Sequence, residues 1–269
     1  MKVLEANVDD FLNKQAWDPN IVSLVSRAPL SLKEVDAALR RCKGAYVVSE
    51  QLGRFLVSAI QELEIQNVLE FGAGASSMVM GATLSVAGGG SITTVEQNPE
   101  WCSDTWRNVT ELDKVKASMV TATPRVSFHA FGPCFGYQHL QSTIASYGPF
   151  DLVFIDAPQY YFGRDGTVPV AIGSLNLGSL LVLDDAGRWG ERWALFRWLH
   201  TYPALRLVYY DPKFGGKGLA VLRYSAECGP RISLLSMVTS VRHTLKLITD
   251  PNDRRLRAVN SRVTNSIPD

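Results

Sequence analysis

The 269-residue chain reads as an α/β protein. A doubly wound, mostly parallel sheet of seven strands is expected, closed by an antiparallel hairpin and preceded by helices. Three observations predict this. Short apolar and β-branched runs alternate with segments of helical period from Asn67 to His200, the pattern of strand–helix–strand units. A glycine turn, Gly72-Ala73-Gly74, joins the first of these strands to the helix after it. The last two runs, Leu205–Tyr210 and Leu219–Tyr224, are separated only by Asp211–Gly218, too short a link for a parallel crossover and rich in turn residues.

Residues 1–30 hold short stretches broken by Pro19 and Pro29. Ser31 with Glu34 forms a capping box, and Leu32, Val35, Ala38 and Leu39 follow at helical spacing. A second helix is predicted over Ser49–Leu63, with Leu52, Phe55, Leu56, Ala59, Ile60 and Leu63 on one face. The period then changes. Asn67–Phe71 is the first strand, Ala75–Val86 a helix of small residues ended by Gly88-Gly89-Gly90, and Ser91–Val95 the second strand. Pro99–Leu112 is the next helix, Arg125–Ala130 the third strand, and His139–Ser146 a helix. Asp151–Ile155 and Ser179–Leu183 are the fourth and fifth strands, with Glu191–His200 a helix after them. Beyond Cys228 a helix is expected over Ile232–Ile248, then a loose, polar, arginine-rich stretch over 250–269. The chain thus divides into a helical cap (1–64), a core (65–227) and a C-terminal helix and tail (228–269).

Composition narrows the function classes. Hydrophobic residues are 46% and charged residues 20%, which excludes a disordered or fibrous chain, and a net charge of +1 supplies no global field for nucleic acid or an anionic membrane. No apolar run approaches the ~18–20 residues that span a bilayer. Met1–Asp10 lacks the basic and apolar regions of a secretory signal. Cys42, Cys102, Cys134 and Cys228 form no CxxC pair, so free thiols in a reducing cytoplasm are expected.

The glycine turn lets a ligand approach the backbone, and the helix starting there offers unpaired N–H groups. Glu96 ends the second strand, where a carboxylate can accept both hydroxyl hydrogens of a ribose. The third glycine of GxGxxG is missing, which weakens a dinucleotide reading. Asp156 ends the fourth strand and Asp184-Asp185 the fifth. Three carboxylates converging at adjacent strand ends repel unless a cation or protons intervene, and oxygen ligands suit Mg²⁺ or Ca²⁺.

The runs Val68–Gly74, Thr93–Trp101, Tyr147–Asp156 and Gly178–Asp185 resemble the successive motifs of class I S-adenosylmethionine-dependent methyltransferases, over about residues 65–224. The resemblance implies a Rossmann-like sheet with the cofactor across the strand C-termini. Glu70, Gly72, Ala73, Gly74, Ser76 and Ser77 would surround its methionine end, Glu96 its ribose, and Gln97 and Trp101 its adenine, with Asp156 also near. The adenine neighbourhood after the third strand, read as His129–Gly132, carries no acid. The acids resemble those of metal-dependent O-methyltransferases of the catechol type and those acting on sugar hydroxyls, which implies Mg²⁺ at Asp156, Asp184 and Asp185. Gln159 stands where those relatives have a basic lysine or histidine.

Catalytic candidates are therefore Asp156, His139 and Tyr160, with His129 and Tyr161 beside them. Tyr160–Phe162, Trp189, Trp193 and Trp198 suit an aromatic or flat acceptor, although Trp189, Trp193, Leu195, Phe196 and Leu199 also have the spacing of a core face. Loops 131–139, 157–173 and 211–218 are candidate lids. The tail carries Arg242, His243, Lys246, Arg254, Arg255, Arg257 and Arg262 without aromatics, so a solvated tail or dimer arm is expected rather than a nucleic-acid contact. The expected protein is a cytoplasmic small-molecule O-methyltransferase, homo-oligomeric and without a membrane partner. The alternatives are a metal-independent N- or carboxyl-methyltransferase, a nicotinamide-dependent oxidoreductase, and a non-catalytic binding module.

Overall fold

The computed structural model describes residues 2–15, 17–26, 48–137 and 139–264, so the predicted helix beginning at Ser31, and Cys42, lie outside the described residues. Helices α1 (Lys2–Asn13), α2 (Pro19–Ser26) and α3 (Glu50–Glu62) precede the sheet. The Ser49 side chain caps α3 by accepting the Leu52 N–H at 3.2 Å. Its apolar face buries Leu52, Phe55, Leu56, Ala59 and Ile60, as the spacing predicts, while Leu63 is 40% exposed.

Strand β1 (Asn67–Phe71) leads through the glycine turn into α4 (Ala75–Val86). Then come β2 (Gly90–Glu96), α5 (Ser103–Thr110) and β3 (Val115–Thr121). A separate hairpin, β4 (Arg125–His129) and β5 (Gly132–Gly136), follows with α6 (Leu140–Ala145). After it lie β6 (Phe150–Ile155), α7 (Thr167–Ala171), β7 (Leu175–Asp184) and α8 (Trp189–Thr201). The sheet closes with β8 (Leu205–Asp211) and β9 (Leu219–Tyr224), and the chain continues into α9 (Leu234–Thr249) and α10 (Pro251–Thr264).

The seven-stranded order is β3-β2-β1-β6-β7-β9-β8. Pairing is parallel from β3 to β7 and antiparallel for β7–β9 and β9–β8. The chain therefore winds outward from β1 through β2 to β3 and then returns to the other side of β1 as β6. That reversal opens a crevice at the C-terminal ends of β1 and β6, the place where such sheets take ligands.

The period-two alternation of each strand feeds two cores. Leu69, Phe71, Val153, Ile155, Leu181 and Leu183 face the layer of α1 and α8. Val68, Leu152, Phe154, Leu180 and Val182 face the layer of α2, α3 and α4.

The third strand of the sheet is Val115–Thr121, not Arg125–Ala130. The half-exposed pattern of Val115–Thr121, with Lys116 and Thr121 outward, marks an edge strand and lacks a continuous apolar run. Arg125–His129 does form a strand, but it pairs antiparallel with Gly132–Gly136 in a separate sheet. Of the stretch expected to be loose, 251–264 form the helix α10. Its Arg257 donates to the carbonyls of Tyr161 and Leu247 and lies over the Phe135 ring at 5.2 Å. In the segments 131–139 and 157–173, expected as lids, most of 131–137 and all of 161–171 are buried.

Asp165 is the tie between loop and helices. Its carboxylate receives the buried Arg197 guanidinium, with Nε at 2.6 Å, and lies 3.3 Å from His243 Nδ1 of α9, while its carbonyl accepts Trp198 Nε1 at 2.9 Å. Burial alone would raise the Asp165 pKa, but Arg197 and His243 bring it down to about 2. Trp193 and Trp198 are core residues, not pocket walls. Asp165→Asn keeps the shape but leaves the Arg197 charge poorly paired. The expected loss is about 3–5 kcal/mol in urea unfolding, and replacing both partners with Asp165→Leu and Arg197→Met should cost less.

Candidate active site

The turn after β1 is built by its neighbours. The Gly72 N–H donates to the Val95 carbonyl at 2.9 Å, and the N–H groups of Asp156 and Ala157 both donate to the Phe71 carbonyl at 3.0 and 2.9 Å. Gly72 has φ +98°, and a Cβ there would meet the Ala157 Cβ at 2.8 Å, so glycine is required on both counts. A Cβ on Gly74 would meet nothing within 4 Å, so the crevice side of the turn is open. Asp156 is thereby fastened beside the turn by main-chain bonds.

Glu70 does not face a ligand. The same alternation that sends Val68 to the α4 side sends Glu70 there too. Its carboxylate accepts the hydroxyls of Ser76 at 2.6 Å, Ser77 at 2.5 Å and Thr94 at 2.8 Å. The Ser76 and Ser77 hydroxyls are therefore committed inside the fold, and only the N–H groups at the start of α4 remain for a ligand. Ser77 Oγ also accepts the Gly74 N–H at 3.0 Å, which tightens the turn. Complete burial pushes the Glu70 pKa up to about 7 against the three hydroxyl donors.

Glu96 is held differently. Its two oxygens accept main-chain N–H groups, from Ala73 at 2.9 Å and from Asn98 at 2.7 Å. A carboxylate can accept more hydrogen bonds than these. Burial raises the Glu96 pKa while those N–H groups oppose the rise.

Beside Glu96 stands Tyr137, a residue that carried no signal in the sequence. It is 2% exposed and stacks on Phe71, and its hydroxyl is buried without a hydrogen-bond partner among the described residues. Gln97, 4% exposed, has an unpartnered Oε1. It lines a cleft of about 550 Å³ with Thr123, Pro124, Phe135, Phe162 and Arg257. The residues after the true third strand, Thr123 and Pro124, thus border this cleft, in place of His129–Gly132. Trp101 is 63% exposed and is not in the cleft lining. The Cys102 thiol is pushed up to about 12 by burial and by Glu96 and Glu70, so it stays protonated.

Asp156, Asp184 and Asp185 do converge: each offers an oxygen, and these atoms lie within 4.8 Å of one another. The cluster contains a cation the sequence did not reveal. Arg164, from the loop after β6 and 2% exposed in its side chain, donates Nη2 to Asp156 at 2.8 Å and to Asp185 at 3.0 Å. Its Nη1 donates to the Asp184 carbonyl at 2.6 Å, and Nε lies 3.8 Å from Glu191. Arg188 pairs with Asp185 at 2.8 Å, and Lys217 stands 3.9 Å from Asp185 Oδ1. Four carboxylates therefore face three cations, an excess of one negative charge. Burial and the neighbouring Asp156 and Asp185 push the Asp184 pKa up to about 6. Asp185 Oδ1 is buried without a hydrogen-bond partner. Three convergent acids, one with a carboxylate oxygen that accepts no hydrogen bond among the described residues, fit a hard divalent cation as oxygen ligands.

His139 and Tyr160 are not brought to the acids by any bond among the described residues. His139 is exposed, in left-handed conformation (φ 62°) at the start of α6, and Tyr160 is 55% exposed with its ring edge-on to Tyr161. His129 is tied to the Ser127 hydroxyl at 2.9 Å on the separate hairpin, and burial lowers its pKa.

No family model and no curated protein sequence matches the chain. Solved structures do. An O-methyltransferase of tomaymycin synthesis, TomG from Streptomyces achromogenes, in complex with S-adenosylmethionine, superposes with a TM-score of 0.51 at 15% identity, covering 78% of this chain and 97% of that one. An O-methyltransferase from Bacillus cereus in complex with S-adenosylhomocysteine gives 0.51 at 18% identity, over 78% and 98%. A methyltransferase from Geobacter sulfurreducens gives 0.50 at 17%, over 79% and 99%. The chain has the class I methyltransferase fold. The sheet order and the terminal antiparallel strands agree with this at the level of topology.

Within the methyltransferase fold Glu70 yields a pH prediction. Its folded pKa of about 7 lies above the ordinary 4.5, so the unfolded chain releases this proton first as pH rises. The stability it contributes is complete below pH 4.5 and is lost as pH passes 7. Urea unfolding of the parent against Glu70→Gln at pH 5 and pH 8 should show the parent losing roughly 3 kcal/mol relative to the variant.

Proposed function

We propose that the chain is an S-adenosylmethionine-dependent methyltransferase acting on a hydroxyl of a small, aromatic or natural-product acceptor. One observation carries this reading: an open glycine turn, an anchored Glu96 and three convergent aspartates all border the crevice where the sheet order reverses. The fold shared with cofactor-bound O-methyltransferases supports it.

The crevice residues fit the cofactor. Glu96 accepts both ribose hydroxyls with the lone pairs its main-chain donors leave free. Gln97 Oε1 takes the adenine amino group, a donor for its orphaned acceptor. The N–H groups at the start of α4 receive the methionine carboxylate. The Tyr137 hydroxyl gains a polar partner beside Glu96. Asp156 sits where cofactor and acceptor would meet; without a metal its second oxygen orients the acceptor hydroxyl and takes up its proton. Methyl transfer asks for little else from the chain, because the sulfonium is already a good leaving group and alignment supplies much of the acceleration.

Asp156, Asp184 and Asp185 would hold Mg²⁺, which supplies positive charge that lowers the pKa of an acceptor hydroxyl. Arg164 favours a second reading, in which its guanidinium is the cation of the cluster and transfer is metal-independent. Chelation separates the two. EDTA abolishes transfer under the first reading and leaves it intact under the second.

Calorimetric titration with S-adenosylhomocysteine should give micromolar binding. Glu96→Gln should weaken it about 10- to 100-fold, since a charged acceptor of two hydroxyls is replaced by a neutral one. Absence of binding by the parent protein overturns the proposal, and binding of a nicotinamide nucleotide instead would replace it. Asp185→Asn should leave S-adenosylhomocysteine affinity within about threefold but remove any Mg²⁺-dependent binding of a catechol, which requires the acid cluster and not the cofactor turn.

A further inference from the structure

Helix α10 is drawn against the core by one side chain. Pro251 has no N–H, so the Leu247 carbonyl, four residues earlier, lacks its helical donor. The Arg257 guanidinium takes that place from the following helix. Its Nη2 donates to the Leu247 carbonyl, and its Nη1 to the Tyr161 carbonyl at 2.5 Å. The same group lies over the Phe135 ring.

Leu247, Tyr161 and Phe135 belong to a small apolar cluster apart from the two cores of the sheet, and its remaining member is Phe162. Phe135 and Phe162 meet edge to face with their ring centroids 5.5 Å apart. Arg257 thus clamps the cluster by two carbonyls and one ring. Phe135 and Phe162 also form an aromatic wall of the cleft of about 550 Å³, and Arg254, Arg257 and Ala258 of α10 line it beside them. From the sheet side Gln97 and Thr123 bound the same cleft. The cleft begins next to Glu96. That residue pairs with Thr121 at the ends of β2 and β3, its carbonyl accepts the Ala122 N–H at 3.0 Å, and Gln97 follows it in the chain.

We propose that α10 is the outer wall of the adenine site and that Arg257 is a positioning residue for the cofactor. The proposal rests on the S-adenosylmethionine reading of the crevice. A nucleoside with its ribose on Glu96 and its 5′ end at the glycine turn directs its base to the Gln97 side, into the cleft. There the purine packs on aromatic side chains, and α10 shields it from water. Arg257 acts through Phe135 and the Tyr161–Phe162 loop, because both its terminal nitrogens are engaged by main-chain carbonyls. A helix that follows the completed sheet is then part of the cofactor site, and cofactor exchange requires it to give way.

Titration with S-adenosylhomocysteine and with 5′-methylthioadenosine, which keeps the adenosine end and lacks the amino acid, tests this. Arg257→Ala should weaken both ligands by the same factor, about 10-fold, with unchanged circular dichroism. Stopped-flow displacement should show the loss as faster dissociation. Arg255→Ala, on the same helix but outside the cleft lining, should change neither affinity by more than about twofold. Hydrogen exchange in the parent supplies a readout that a purely structural role for Arg257 does not move: S-adenosylhomocysteine should slow exchange along α10. Absence of S-adenosylhomocysteine binding by the parent overturns the methyltransferase reading and this wall with it. Binding that leaves exchange in α10 unchanged overturns the wall alone. So does an Arg257→Ala variant that keeps both affinities, or one that weakens S-adenosylhomocysteine and not 5′-methylthioadenosine.

Discussion

The structure depends on two adjacent residues of opposite charge, Arg164 and Asp165, buried side by side and turned to different partners. Arg164 enters the acids at the ends of β6 and β7, and Asp165 receives Arg197 of α8 and meets His243 of α9. Each ion would be costly to bury alone, and each is made tolerable by partners already fixed on strands and helices. The loop after β6 therefore cannot move without exposing four or more buried charges to poor company. It joins three layers that apolar packing alone would leave separate: the sheet, the helix across it, and the helix added after the sheet is complete. The close approach of Gly166 to Gly136, where a Cβ would lie 2.4 Å from the Gly136 Cα, shows how tightly the loop is drawn against the hairpin.

The regular elements were legible because their signals are local. Asn67–Phe71 and Ala75–Val86 stand at the boundaries read from the sequence, since a buried central strand and a helix ended by glycines announce themselves in composition. The edge strand Val115–Thr121 did not, because half of its residues face water and Lys116, Ser118 and Thr121 break the apolar run. The helix α10 was hidden for a related reason: it is strongly polar and is held by Arg257 bonds to two distant carbonyls.

The site divides along the same line. Gly72, Glu96 and the three aspartates stand at the C-terminal edge of the sheet, as their places at strand ends predict, which is a topological property. Glu70 was placed toward the cofactor because it belongs to the run of the glycine turn, whereas the strand alternation turns it into the helix layer. Arg164 and Tyr137 were missed. Neither belongs to a motif, and each reaches the crevice from a loop whose path is set by tertiary contacts. A guanidinium among the acids also changes what those acids mean, from a bare anionic cluster to one nearly balanced.

The buried face of α9, Ser236, Ser240, His243 and Thr244 with Leu247, has a thermal consequence. A helix docked through an apolar face gives up hydrocarbon to water when it opens, and its grip strengthens or fades along the curved profile that a heat-capacity change imposes. Opening α9 hydrates hydroxyls, an imidazole and the Pro133 carbonyl beside the apolar contacts of Leu247, and the polar groups contribute a heat capacity of opposite sign to that of hydrocarbon. The grip of this helix on the core then curves less with temperature than that of a helix docked through hydrocarbon alone. It is held by bonds to Pro133 and Asp165 beside the contacts of Leu247, while the sheet below it keeps the dome-shaped stability of an ordinary apolar core.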